Sequence, residues 1–182
     1  MGDGLKYLVE RASKEHKSFT KRMHLYFGVE DPSFVEEIIF QPLLVDGGYG
    51  SKPVFFVNYD GYSDITPLMQ LNFDLTIYHE TAHHLHRSYH GDVFENPWTI
   101  EPIIDYSVLF HLHFSDKKEH LELFREQEDV CFELYERCNC PHNLKALLIA
   151  SEEEAREHLI RMLGKGHSYF MEEEFWKDDE ED

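Results

Sequence analysis

No run of apolar residues in this sequence approaches the length needed to cross a bilayer, so no transmembrane helix is expected. The opening stretch from Met1 to Lys17 also lacks an apolar run between a basic start and a small-residue cleavage site, so no signal peptide is expected. A cytoplasmic protein is the resulting expectation. Cysteine is scarce: Cys131, Cys138 and Cys140 are the three, and they sit in one short stretch. An odd, clustered set makes a poor disulfide framework and fits a reducing compartment. The Cys138-x-Cys140 pair has no second thiol pair with which to complete a four-ligand metal site. Basic residues are few as well, 17 Lys and Arg against 36 Asp and Glu, for a formal net charge of -19. Such a charge repels nucleic acid and anionic lipid, which excludes both as expected partners, and it attracts cations or basic peptides. There is no internal repeat.

What is present fits a globular chain. The 182 residues are 42% hydrophobic and 14% aromatic, enough for one sizeable core. We expect a single domain over 1–171 and a solvated acidic tail over 172–182, where eight acidic residues accompany one lysine. Leu5, Leu8, Val9, Ala12 and Phe19 recur at helical spacing, which predicts an amphipathic helix to about Met23. His24 to Val29 alternates loosely like a strand. Asp31-Pro32 reads as the start of a short helix through Ile39. Pro53 to Tyr59 is the clearest strand pattern, after the turn at Asp46 to Gly50. From Thr66-Pro67 onward the pattern is helical. Leu68, Leu71, Leu75, Tyr78, Ala82 and Leu85 keep a three-and-four rhythm to a stop at Gly91. Further helices are expected from near Glu101-Pro102 to Leu112 or Phe114, from Ser115-Asp116 towards Arg137, and from the capping box Ser151…Glu154 to Gly164. The fold class expected is therefore α+β, with a short N-terminal sheet and a mostly helical second half.

Chemistry concentrates at His79-Glu80-Thr81-Ala82-His83, an H-E-x-x-H pentamer inside the helix expected from Thr66. Residues four apart stand one turn above each other, so both imidazoles reach one ion. Glu80 lies further round the helix, where it meets a water activated by that ion and accepts its proton. A metzincin pattern would need glycine at 86 and histidine at 89, but His86 and Tyr89 occupy those positions. Glu95, Glu101 and Asp105 are the acids placed to supply a third ligand. His84, His86, His90, His111 and His113 crowd the same region and offer material for a second metal site, on spacing alone.

His79-Glu80-x-x-His83 followed by Glu101-x-x-x-Asp105 resembles the gluzincins, the thermolysin-like zinc metallopeptidases. The resemblance is confined to His79 through Asp105. It implies Zn2+ held by His79, His83 and Glu101, Glu80 as general base, and Asp105 bracing His79 to fix its tautomer. It also implies a histidine or tyrosine from far down the chain to stabilise the oxyanion. His158, His167 and Tyr169 are placed for this, and His167 and Tyr169 are the residues favoured. The strand from Val54 to Tyr59 lies in the right order to receive a substrate backbone. The activity implied is hydrolysis of a peptide bond in a peptide or protein substrate. The alternative is a non-catalytic zinc-stabilised helical module that binds a protein partner.

Overall fold

The computed structural model describes residues 3–27, 37–41, 47–49, 54–58, 66–90, 97–127 and 144–165. The chain divides into two compact units, Met1–Val93 and Phe94–Asp182.

The first unit opens with α1, Asp3–Phe27. Leu8, Ala12, Phe19 and Met23 are buried on it, while Lys6, Glu10, Lys14, Lys17 and Lys21 are exposed, as three- and four-residue spacing dictates. The helix continues past Met23, so His24 to Phe27 is helical where the alternation predicts a strand. Three short strands follow: β1, Glu37–Gln41; β2, Gly47–Tyr49; and β3, Val54–Asn58. Their order is β1-β3-β2, with β1 parallel to β3 in the register Glu37↔Val54, and β2 antiparallel to β3 with Gly48 opposite Phe56. The helix expected over 31–39 is corrected at its end, since 37–39 belong to β1.

Helix α2, Pro67–His90, carries the pentamer. Thr66 caps it: its Oγ1 accepts from the Met69 N–H at 3.2 Å, and its carbonyl accepts from the Gln70 N–H at 3.0 Å. Pro67 occupies the first helical position, where a missing N–H costs nothing. α1 runs beside α2 in the same direction. Tyr7 meets Gln70, Arg11 meets Asp74 and Glu15 meets Tyr78, each pair 63 residues apart.

The second unit is built round α3, Pro97–Phe114, which buries Ile103, Ile104, Tyr106, Val108, Leu109, Phe110 and Leu112. A helix buried round its circumference is the centre of a helical layer. Packed on it are α4, Lys118–Gln127; α5, Leu144–Ile149; and α6, Glu152–Lys165. The capping box at the start of α6 is complete. Ser151 Oγ accepts from the Glu154 N–H at 3.2 Å, and a Glu154 carboxylate oxygen accepts from the Ser151 N–H at 2.8 Å. The helix expected from Ser115-Asp116 towards Arg137 starts two residues later, as α4 at Lys118, and 128–137 lie outside the described residues. Asp116 takes φ 55° just past the end of α3, and the Lys117 N–H donates to the Leu112 carbonyl at 3.3 Å, a Schellman closure.

The α+β expectation, a zincin-like domain with an N-terminal sheet, is overturned. Helices of 25, 24, 18, 10, 6 and 14 residues stand against strands of 5, 3 and 5, and the chain enters helix at Asp3. Every side chain described as buried is on a helix. The described core is helical because its apolar residues recur at three and four, which lets helices bury one another. No helix among the described residues is long and apolar enough to cross a membrane.

Candidate metal centre

The rotation of α2 decides what the pentamer can do. Asp74, Tyr78 and Thr81 recur on one stripe and face α1. His79 and His83 therefore stand away from that stripe, one turn apart, and each is half-buried. Their Nε2 atoms approach to 3.1 Å, with the rings edge to face and centroids 4.7 Å apart. Two nitrogens bound to one tetrahedral zinc at about 2.0–2.1 Å would lie roughly 3.3 Å apart. The pair is thus spaced for a shared ion.

Glu101 is the fifth residue of α3, inside the helix and not at its start as Pro102 suggested. Asn96 lies outside the described residues, but Pro97 at the first helical position accounts for the earlier start. Pro102 lacks an N–H, so it makes no bond to the residue four before it. The Glu101 side chain is half-buried. Glu101 belongs to the second unit, while His79 and His83 belong to the first. Asp105 is buried one turn further along α3, at 6% exposure. Glu95 lies outside the described residues, as do His167, Tyr169, the three cysteines and the acidic tail. Glu80 is buried on α2, about 100° round the helix from His79.

The remaining histidines do not form a second group among the described residues. His84, His86 and His111 are buried, and His113 lies against the Phe114 ring at 4.7 Å. His158 is half-buried against Tyr106, ring centroids 5.2 Å apart. The Tyr106 hydroxyl donates to the Ala155 carbonyl at 3.3 Å, and burial holds its pKa above the usual phenol value.

Sequence reasoning missed the polar residues of α1. His16 lies 2.9 Å from Thr81 Oγ1 through its Nδ1, and the Thr81 hydroxyl donates to the Ile77 carbonyl at 2.6 Å. The single hydroxyl proton is spent on that carbonyl, so His16 Nδ1 is the donor to Thr81. Burial, with nearby His84 and Lys17 adding to it, lowers the His16 pKa to about 4 and keeps the ring neutral at neutral pH. Glu15, also buried, accepts a short hydrogen bond from the Tyr78 hydroxyl. Burial first, and the bond to Glu15 second, push the Tyr78 pKa well up. A signal existed: Glu15 falls seven residues after Leu8 and four before Phe19, squarely in the apolar stripe.

Comparisons with protein-family models, with curated proteins and with solved structures return no match. The functional reading therefore stands on the residues themselves.

Proposed function

We propose that this chain is a zinc-dependent hydrolase of gluzincin type, acting on a peptide bond in a peptide or protein substrate in the cytoplasm. His79, His83 and Glu101 would hold the ion. The observation that carries the proposal is the 3.1 Å approach of the His79 and His83 Nε2 atoms on α2, close to the separation two imidazoles would take on one zinc. Two imidazoles and a carboxylate are the donor set of a catalytic zinc that keeps one position open. When bound, zinc supplies Lewis acidity towards a water and towards the scissile carbonyl. Glu80 accepts the proton of the attacking water and returns it to the leaving nitrogen. Its position beside the first ligand, off the line joining the two histidines, suits a base and not a ligand. Asp105, one turn after Glu101, would brace His79 from the adjacent shell.

Elemental analysis of the tag-free chain tests the metal, and one variant tests the chemistry. Close to one zinc per chain is expected, reduced sharply in Glu101→Ala. Glu80→Gln should retain zinc and lose hydrolysis of a peptide library. Absence of bound metal after zinc is supplied would overturn the proposal. Zinc binding with turnover unchanged in Glu80→Gln would overturn the role of the base.

A further inference from the structure

The face of α2 opposite the proposed ligands is held by polar contacts from α1. Arg11 reaches Asp74, Glu15 reaches Tyr78 and His16 reaches Thr81. Tyr78 immediately precedes the first ligand, and Thr81 lies midway between the two. Thr81 is two residues from each, hence about 200° round the helix from both. Its oxygen is used twice, as acceptor from His16 and as donor to Ile77, so its rotamer is fixed.

Ligand geometry explains why such a fixture matters. Side-chain tips on a helix lie about 5–6 Å from its axis, so a turn of roughly 10° moves them about 1 Å. Metal–ligand distances tolerate only about ±0.2 Å. Apolar packing of Phe19 against Tyr78, with rings stacked at 5.7 Å, has no preferred bond direction, whereas hydrogen bonds fix a direction as well as a distance. Buried polar contacts add little net stability over apolar side chains of the same shape, and register is their best-attested use.

We propose that α1 is a positioning brace for the metal ligands, in which His16 on Thr81 and Glu15 on Tyr78 fix the rotation of α2 at His79 and His83. The inference rests on the metal reading of that helix. Thr81 and Tyr78 are positioning residues, engaged with His16 and Glu15 of α1.

The test uses the full chain, with zinc affinity by chelator competition and the visible absorption of bound cobalt(II). Thr81→Val keeps the shape and deletes the hydroxyl; Thr81→Ser restores it. Thr81→Val is expected to weaken zinc binding about tenfold, the low end of the cost of losing a group bonded directly to a ligand. It should also alter the cobalt bands of the loaded protein, with both effects recovered in Thr81→Ser. A merely structural role would lower the folded fraction and leave the spectrum of the loaded protein unchanged. Wild-type protein that binds neither metal would overturn the metal reading and the brace together. Wild-type binding, with Thr81→Val inside twofold in affinity and identical in spectrum, would overturn the brace alone. If Thr81→Val does not fold, Tyr78→Phe keeps the ring on Phe19, removes the hydroxyl from Glu15, and is judged by the same two outcomes.

Discussion

Asp74 sits with its side chain 1% exposed, and Arg11 meets it through two parallel contacts, Nε to Oδ1 and Nη2 to Oδ2, each 2.6 Å. The guanidinium also donates to the Tyr7 hydroxyl at 2.9 Å. The hydrogen bond to Asp74 holds the Arg11 pKa above its ordinary value against the opposing effect of burial. Breaking such a pair from one side leaves a carboxylate poorly compensated in the interior. Arg11→Met should therefore cost on the order of 3 kcal/mol, the lower end for a buried pair, because Arg11 keeps some contact with solvent. Adding Asp74→Leu should recover most of that loss. Urea unfolding of the two variants measures both. A loss below about 1 kcal/mol in Arg11→Met would place the pair with surface salt bridges, which contribute little. Neither residue was legible as a partner of the other. Periodicity identifies a helical face, but it carries no information on which face 63 residues away will meet it.

Elements were legible where caps and rhythm agree. Thr66-Pro67 and the three-and-four spacing that follows them mark α2, and Ser151…Glu154 marks α6 down to the reciprocal hydrogen bonds. Two of the errors fall where one residue type serves two purposes. Ser115-Asp116 reads as a helix start because both residues favour N-caps, yet aspartate is also one of the few residues to visit the left-handed region. At φ 55° Asp116 closes α3 instead. Pro102 reads as a boundary, and the structure places it inside α3, which begins at Pro97. The H-E-x-x-H pentamer was legible because its spacing is local to one helix, whereas the brace behind it depends on tertiary pairing. The Asp116 conformation makes a prediction at this scale. Asp116→Gly should raise stability by roughly 0.5–1 kcal/mol, since glycine adopts the left-handed conformation without steric cost. The substitution also removes an ion pair, Lys118 Nζ to Asp116 at 3.4 Å, but both side chains are more than 80% exposed and such a surface pair contributes little. Thermal unfolding of the variant checks the sign, and a destabilised Asp116→Gly would show that the aspartate is held there by more than its backbone.

At the scale of the whole molecule, acid acts through opposing effects. The chain carries a formal net charge of -19, so neutralising carboxylates relieves repulsion in the compact state. His16 works against this. Its pKa is about 4 in the folded protein and near the ordinary 6.5 when unfolded. Between those values the unfolded chain takes up a proton that the folded chain refuses, so stability falls as pH falls. The effect is absent above about pH 7 and complete near pH 4, with a limit on the order of 3 kcal/mol. The chain has 13 histidines, so a wild-type profile alone does not isolate His16. The comparison with His16→Asn does: asparagine offers an N–H near the Nδ1 position to Thr81 and carries no titrating group. The stability difference between the two proteins, measured by urea unfolding from pH 7.5 to 4.5, should drift in favour of the variant as pH falls. Parallel profiles would mean that His16 takes up its proton in the folded state as readily as in the unfolded one, and that the space between α1 and α2 admits a charge which its burial, at 2% exposure, should exclude.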